Sequence, residues 1–424
     1  GTPTGLRPFE AIVSCTHRLF EDTRRMRGCM RERARVLAVT SAVLFLAGLV
    51  WYNYSALLPI VADDFGFSGF QSGVVFAAFQ LGYVIAILPA GVLADRYDAR
   101  VIVAAGTTGT GLATVGFAAL TDGFQTAAVF RLLAGAAITG VYVPGMRLLT
   151  DWYEADDRGG AFGIYVGTFS LSSGMSYFLA SIVASSFGWR IAIGATSVGA
   201  VLAGPLILLL TRPHPDATAE AAGFDFSLLR DRSYLAAVGI YAGHNWELFG
   251  ARNWILAFLV AAPALIGTGN PTVIAGTLTG ITVALGSVAN VASGWLSDRI
   301  GRLWTITLVF LASGAISLSL GALRWLPLSW LTVIVLIYGI TLTADSSPAS
   351  TTITELVEET SVGTALALQS FLGFAVTIGS PVAFGAVLDL GGYGWAFPTL
   401  AIGPLVGLVA ILYLRRQPAA ARIT

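Results

Sequence analysis

The sequence predicts an all-α membrane protein, with twelve transmembrane helices arranged as two pseudo-symmetric six-helix bundles. Three observations support this fold class. Of the 424 residues, 55% are hydrophobic and only 11% are charged, whereas a soluble protein carries roughly 25% charged residues. The apolar residues form long runs without charges, and motifs in the first half of the chain return in the second. This composition argues against a soluble enzyme, and we expect no enzymatic activity.

The apolar runs determine the predicted number of helices. A helix that spans a bilayer needs about 20 apolar residues, so the chain has room for roughly a dozen spans. Turn residues and charges divide the runs into helices at 36–61, 70–93, 100–120, 125–150, 159–184, 189–210, 234–262, 273–297, 303–322, 328–349, 361–387 and 393–414.

The longest polar connection lies between the sixth and seventh predicted helices and contains Pro213 and Pro215. It is the natural boundary between two bundles. The predicted organisation is a cytosolic tail at 1–35, a first bundle at 36–210, a cytoplasmic linker at 211–233, a second bundle at 234–414 and a cytosolic tail at 415–424.

The basic residues, all 24 of them arginines, predict the orientation. If both termini are cytoplasmic, only Arg131, Arg190, Arg252 and Arg324 lie away from the cytoplasmic segments. Cytoplasmic loops of membrane proteins are enriched in Lys and Arg. We therefore expect a multi-pass protein of the plasma membrane with both termini in the cytoplasm.

Several kinds of ligand are not expected. The net charge is zero, which argues against nucleic acid, because binding phosphates requires an excess of basic residues. Cys15 and Cys29 are the only cysteines and form no zinc-binding pattern. The chain has no lysine, so it contains no phosphate-binding loop of the Gly-Lys type. We expect no metal, no cofactor and no direct use of ATP.

An internal repeat relates the two halves of the chain. The segment from Gly91 to Arg96 returns as the segment from Gly294 to Arg299. Five residues of the first half, Pro144, Asp151, Glu154, Gly159 and Ala161, have counterparts 204 positions later in Pro348, Glu355, Glu358, Gly363 and Ala365. Two six-helix repeats with a site at their interface are typical of a transporter.

These motifs resemble the signature of the major facilitator superfamily, in which a glycine is followed by Asp-Arg and then Gly-Arg between helices 2 and 3. The second copy is complete, with Gly294, Asp298, Arg299, Gly301 and Arg302. The first copy has Asp98 where the family has glycine. The resemblance covers the chain from residue 36 onward and implies a secondary transporter that works by alternating access.

The resemblance also implies a cytoplasmic gate that holds the two halves together while the cavity opens outward. The residues at the corresponding positions are Asp95, Arg96, Arg100, Asp151, Asp298, Arg299, Arg302 and Glu355. Carboxylates at such loops can accept hydrogen bonds from helix N-termini. The alternative is that these residues only set the topology and cap helices.

Charged residues within the predicted spans are candidate functional groups, because each costs about 2.5–3.5 kcal/mol to insert. The seventh helix carries His244, Glu247 and Arg252. Residues three apart share a helix face, so we expect His244 and Glu247 to lie together. Glu247 is predicted to bind the coupling proton or to contact substrate. The alternative is a structural Glu–His or Glu–Arg pair.

Asp345 in the tenth helix is a further candidate for proton coupling or substrate binding, or alternatively a partner of Arg147. Arg131 could attract an anion or support packing. We expect three polar residues of helices 1 and 10 to line the cavity, namely Tyr52, Asn53 and Tyr338. Single polar residues of this kind also serve contacts between helices.

The function that the sequence predicts is proton-coupled secondary transport of a small polar solute, with an organic anion as one candidate. The expected partners are the small-molecule substrate, protons and membrane lipid, and the protein is expected to be a monomer. A proton-driven efflux antiporter is one alternative, although the segment from Gly167 to Gly174 lacks proline. A non-transporting membrane sensor is the other, although a 35-residue tail is small for an output domain.

Overall fold

The computed structural model describes residues 7–213, 226–358 and 361–423, and for residues 7–29, Asp95, Ala155, Asp156, Phe226 and Arg422 it describes the backbone alone. All regular structure in these ranges is helical. The α-helices are α1 (Arg7–Phe65), α2 (Gly69–Arg96), α3 (Ala99–Leu120), α4 (Phe124–Ile138), α5 (Tyr142–Trp152), α6 (Ala155–Leu210), α7 (Arg232–Val260), α8 (Pro271–Ile300), α9 (Arg302–Ser319), α10 (Leu328–Thr341), α11 (Ser346–Leu356), α12 (Val362–Val376), α13 (Gly379–Gly391), α14 (Tyr393–Ala396) and α15 (Ile402–Leu414).

Ten helical stretches of the described chain are long and apolar enough to cross a bilayer. Large aliphatic side chains cover their outer faces, including Leu209 at 76% and Val291 at 77% exposure. Such exposure is unfavourable in water and is expected against lipid tails. The protein is a multi-pass membrane protein.

The longest helices depart from the predicted boundaries. Helix α1 begins at Arg7, so the described part of the predicted tail continues directly into the first span. Helix α6 contains 56 residues, or roughly 84 Å at 1.5 Å per residue, which far exceeds a hydrocarbon core of about 30 Å. Its backbone is non-helical at Gly188, with φ 79° and ψ 168°. Because glycine tolerates positive φ, the predicted fifth and sixth helices join there without a loop. Residues 1–6, 214–225 of the linker and Thr424 lie outside the described residues.

Four helices that the sequence predicts as continuous are interrupted. The interruptions separate α4 from α5, α10 from α11, α12 from α13 and α14 from α15. Each interruption includes the residue four positions before a proline, at Pro144, Pro348, Pro381 and Pro404 respectively. A proline ring clashes with the carbonyl of residue i−4 and removes a hydrogen bond, so the prediction of continuous helices is wrong at these points.

The interruptions follow the internal repeat. Helix α11 begins and ends 204 residues after α5, as Ser346–Leu356 against Tyr142–Trp152. This is the spacing that relates the sequence motifs. The repeat therefore extends to the backbone, where each half has one broken helix at the corresponding position.

Most helix-to-helix contacts also lie within one half of the chain or the other. In residues 7–213, the first half, α6 packs on α1 and α3, and α4 packs on α2 and α3. In residues 226–423, the second half, α15 packs on α7 and α9, and α10 packs on α8. Between the halves, α6 packs on α8 and α2 packs on α13.

The contact between α6 and α8 depends on Gly174 and Gly280. A Cβ atom at Gly174 would lie 2.9 Å from the carbonyl oxygen of Gly280, and a Cβ at Gly280 would lie 2.8 Å from that of Gly174. Small residues allow such close approach of membrane helices.

Candidate functional site

A cavity of about 510 Å³ lies between the two halves of the chain. We call it the interhalf cavity. The first half contributes a mainly aromatic wall, formed by Trp51, Tyr52, Tyr83, Ile87, Tyr142, Val143 and Phe169. The second half contributes His244, Arg252, three aromatic rings, Leu248 and a set of amide and hydroxyl side chains, namely Asn245, Asn290, Ser346, Ser347, Ser350 and Ser370.

The aromatic wall is fixed by ring-to-ring contacts. Trp51 makes edge contacts with Phe79, Tyr83 and Phe169 at centroid distances of 5.3, 5.4 and 5.3 Å. Edge-to-face pairs at this distance are favourable because the positive ring edge meets the negative ring face. The rings therefore hold one another in place on this side of the cavity.

Arg252 on α7 is the one arginine among the described residues that line the cavity. Its Nη1 donates to the hydroxyl of Tyr52 at 3.4 Å, and its guanidinium carbon lies 5.9 Å from the centre of the Tyr52 ring. The ion pairs of the described residues do not include Arg252. The described wall contains no carboxylate, so Arg252 gives the cavity a positive charge without an acidic partner on that wall.

His244 is held between a carboxylate and a hydroxyl. Its Nδ1 lies 2.7 Å from Oδ1 of Asp345, and its Nε2 lies 2.9 Å from Oγ of Ser346. His244 and Asp345 are 4% and 2% exposed. The pair borders the cavity through His244.

This pairing corrects the predicted partner of Asp345. Arg147 lies on α5 and pairs with Asp151, whereas Asp345 lies in the interruption between α10 and α11 and contacts His244 on α7. The packing of α11 against α7 brings the two together, and sequence spacing carries no information about that contact.

Glu247 does not line the cavity but lies among hydroxyl groups at a different interface. Ser313 and Ser317 of α9 donate to its Oε2 and Oε1 at 2.8 and 2.6 Å. The hydroxyl of Tyr338 lies 2.6 Å from that of Ser317. The ion pairs of the described residues include neither a Glu247–His244 pair nor a Glu247–Arg pair, so the alternative of a structural pair at Glu247 does not hold in this structure. The two residues are close in sequence on α7 but contact different helices.

The three predicted cavity residues take different positions. Tyr52 lines the cavity. Asn53 is buried and donates to Thr196 and Ser197 on α6 at 3.2 and 3.3 Å. Successive helical residues are rotated by about 100°, so Asn53 faces a neighbouring helix while Tyr52 faces the cavity. Tyr338 belongs to the Glu247 cluster, and neither it nor Asn53 is among the described residues that line the interhalf cavity.

The loop motif of the second half forms an ion-pair network. Arg302 at the start of α9 pairs with Asp298, and its Nε lies 3.3 Å from Oε1 of Glu355 on α11. The guanidinium of Arg299 lies 3.5 Å from the Trp295 ring centre. The network fastens the α8–α9 loop to α11 within the second half.

The loop motif of the first half is arranged differently. Arg100 pairs with Asp98 at 2.5 Å and donates to the carbonyl oxygen of Thr211 at 2.7 Å. Burial would raise the pKa of Asp98, but the hydrogen bonds and charge of Arg100 lower it overall. Arg96 is exposed in the last turn of α2, and the side chain of Asp95 lies outside the described part of the chain.

At the opposite end of the helices, Asp389 joins the two halves. Its carboxylate accepts hydrogen bonds from the backbone N–H groups of Gly69 and Phe70 at 2.6 and 2.8 Å, at the N-terminus of α2. A Cβ at Gly385 would lie 2.0 Å from the carbonyl oxygen of Gly69. The two helices are therefore in backbone contact at this end.

Comparison with known proteins identifies the fold. A model of the Major Facilitator Superfamily matches residues 40–369. The chain belongs to this superfamily. It is similar to the hexuronate transporter of Bacillus subtilis (strain 168), with 24% identity over 400 residues that cover 88% of this chain and 92% of that protein.

Two further proteins are similar to this chain, one in sequence and one in structure. A probable sulfoacetate transporter of Cupriavidus necator is 24% identical over 239 residues, which cover 55% of this chain and 54% of that protein. A bacterial homolog of the human lysosomal transporter Spinster, in an inward-facing and occupied conformation, superposes with a TM-score of 0.73. The match is 16% identical and covers 92% of this chain and 96% of that one.

The superfamily motifs did not reveal every residue of the cavity. Trp51, Tyr83 and Phe169 form its aromatic wall, yet in the sequence they are ordinary members of apolar runs. Asp389 follows a long apolar run, and its partners lie 320 and 319 residues earlier. Only the packing of α13 against α2 reveals its role.

Proposed function

We propose that this protein is a secondary active transporter that carries a small organic anion by alternating access, coupled to protons. The observation that carries the proposal is Arg252, a cation on the wall of the interhalf cavity without a carboxylate on the same wall. A guanidinium can donate two parallel hydrogen bonds to a carboxylate or sulfonate. An anion that enters the cavity supplies the charge that the wall lacks.

The similar proteins support an anionic substrate. Two of them are named for the transport of a hexuronate and of sulfoacetate, and both compounds carry an acidic group. At 24% identity the particular substrate does not carry over. The shared feature is the negative charge, which agrees with the chemistry of Arg252.

Proton coupling is proposed to involve the pair of His244 and Asp345. The pair borders the same cavity as Arg252, so the charge of a bound anion would favour its protonated state. By linkage, a proton on the pair would favour the anion to the same extent. Glu247 remains a second candidate for the coupling proton, because it is a buried carboxylate whose described partners are hydroxyls.

The proposal includes topology. Counting α6 as two spans on either side of Gly188 and adding α7, the span with the charged residues, to the ten apolar stretches gives twelve. The packing within each half supports two six-helix bundles, and the proposed protein is a monomer. With both termini in the cytoplasm of a plasma-membrane protein, the contact between Asp389 and α2 closes the outer end, which supports an inward-facing conformation.

The same orientation places the predicted gate at the cytoplasmic end. The pairs of Arg100 with Asp98, Arg147 with Asp151, and Arg302 with Asp298 and Glu355 each join residues of one half. In the proposed cycle, these groups exchange partners across the halves when the cavity opens outward.

Transport by the purified protein tests the proposal. Proteoliposomes with a pH gradient are assayed for uptake of small carboxylates and sulfonates and of the matching neutral amides. We expect uptake of at least one anion but not of its amide, and loss of that uptake in Arg252→Gln. Arg324→Gln removes an equal charge from a position beside Trp325, away from the cavity, and serves as the control. Equal uptake by Arg252→Gln and the wild type would reject the anion site.

A further inference from the structure

We infer that the transported anion is an aromatic carboxylate with hydroxyl groups on its ring. This inference rests on the proposed function. The inference begins with the composition of the cavity wall. Eight of the 19 described lining residues are aromatic, whereas aromatic residues make up 11% of the chain. A charged solute alone would not require this apolar surface.

Four of the rings form one continuous surface that crosses from the first half to the second. Trp51 contacts Tyr83 at 5.4 Å, Tyr83 contacts Phe374 at 4.9 Å, and Phe374 contacts Phe249 at 5.4 Å between ring centres. Trp51, Tyr83 and Phe249 are each 5% exposed, and an aromatic ring in the cavity would gain contacts with the part of each ring that faces it. Because the surface belongs to both halves, a ring that binds there touches both parts of the transporter.

The charge and the hydrogen-bonding groups lie on the remaining wall. Arg252 provides a single positive charge, which suits a monoanion. The serine hydroxyls of Ser346, Ser347 and Ser350 and the amide of Asn290 provide small polar groups along α8 and α11. Asn245 also lines this wall but is 2% exposed. Ring hydroxyl groups could exchange hydrogen bonds with the serine hydroxyls and the Asn290 amide on this wall.

A saccharide acid fits this arrangement less well. A pyranose ring carries hydroxyl groups around its whole edge, and those placed against Trp51, Phe374 and Phe249 would lose their hydrogen bonds to water without replacement. A planar ring with hydroxyl groups on one side leaves its faces and its other edge apolar. It matches a cavity with one aromatic surface and one polar wall.

Equilibrium binding to the purified, full-length protein tests the inference with four probes. They are 4-hydroxybenzoate, cyclohexanecarboxylate, glucuronate and the neutral 4-hydroxybenzamide. Cyclohexanecarboxylate matches the size and charge of an aromatic acid but has no π-system. We expect 4-hydroxybenzoate to bind about 3- to 10-fold more tightly than cyclohexanecarboxylate, and more tightly than the other two.

The outcomes separate this inference from the proposed function. Cyclohexanecarboxylate or glucuronate binding as tightly as 4-hydroxybenzoate would overturn the aromatic class and leave the anion site intact. The amide binding as tightly as the acid would instead reject the anion site. Binding by none of the four at millimolar concentration would overturn the aromatic class, while the anion site would still be decided by the transport assay with Arg252→Gln.

Variants of the aromatic surface give a second readout. Trp51→Leu is expected to reduce the ratio of the 4-hydroxybenzoate and cyclohexanecarboxylate affinities toward one. Trp330→Leu is the control, because Trp330 lies on the outer face of α10 at 63% exposure. Phe374→Leu repeats the test from the other half if Trp51→Leu does not fold. An unchanged ratio in a folded variant of the surface would overturn the inference.

Discussion

The two walls of the interhalf cavity differ in chemistry although they come from halves with a common sequence repeat. The first half presents aromatic rings, and the second half presents Arg252, His244 and most of the amides and hydroxyls. The first half also has an arginine at membrane depth, Arg131, but its guanidinium is buried 4.2 Å from the Phe79 ring centre, away from the cavity wall. The halves therefore share their backbone plan and not their site chemistry.

The difference is clearest at the two broken helices. Asp345 lies in the interruption before α11, and the residue 204 positions earlier is Val141, in the interruption before α5. Both interruptions precede a proline, but only the second places a carboxylate there. The repeat thus keeps the interruption of the helix before the proline, whereas the side chain at the interruption differs between the two halves.

The largest expected effect is on anion affinity and comes from changing Arg252, the charged group of the polar wall. Arg252→Lys keeps the charge but cannot form two parallel hydrogen bonds with one acidic group. We expect anion affinity to fall by a factor of about 10 to 100, corresponding to the loss of one charged hydrogen bond of roughly 1.5–3 kcal/mol. Binding measurements on the purified variant check this, and wild-type affinity would show that Arg252 acts only as a diffuse charge.

The next largest effect is expected on proton coupling and concerns the pair of His244 and Asp345, which the interruption in the first half lacks. In Asp345→Asn, His244 loses its carboxylate partner, and we expect anion exchange to survive while pH-driven accumulation fails. With one proton per anion, a gradient of one pH unit supports about tenfold accumulation, which should fall to about one. Exchange and accumulation are measured in the same vesicles, and tenfold accumulation by the variant would shift the coupling role to Glu247.

A smaller effect is expected at Glu247, because its partners can adapt. Serine hydroxyls can donate or accept, so Glu247→Gln can keep hydrogen bonds to Ser313 and Ser317. We expect unfolding free energy to change by less than about 1 kcal/mol, whereas Glu247→Leu leaves hydroxyls unpaired at about 1–3 kcal/mol. Thermal denaturation in detergent measures both. If Glu247→Gln were as unstable as Glu247→Leu, the Glu247 carboxylate would be paired with a cationic group.

The smallest expected effect is on stability and concerns the loop motif of the first half. Asp98→Asn removes an exposed pair with Arg100, and such surface pairs contribute about 0–1 kcal/mol. Because the pKa of Asp98 is lowered in the folded protein, its contribution is present above the unfolded pKa and is lost as the pH falls through the folded value. Denaturation at neutral and acidic pH checks this sign, and an effect that grew on acidification would contradict it.

The fold was more predictable than the site, for physical reasons that particular residues illustrate. Span positions follow from apolar composition, and the pair of Arg302 with Asp298 lies within one turn of sequence. Asp345 and His244 are in contact although they are 101 positions apart in the sequence, which a helical period cannot reveal. His244 and Glu247 do not pair in this structure, because shared spacing on α7 does not determine which neighbouring helix each side chain meets.

The contact of Asp389 with the first turn of α2 has a consequence for sidedness. In this conformation, α2 and α13 meet near Gly69 and Gly385 through a close backbone approach and two hydrogen bonds, and in the proposed orientation this contact closes the outer end of the cavity. A membrane-impermeant thiol reagent aimed at a cysteine in place of Ser350 would therefore have to arrive from the other face. On that proposal, a population resting in this state would sample the solutes of one compartment only, and its response to an inhibitor would depend on the side of addition.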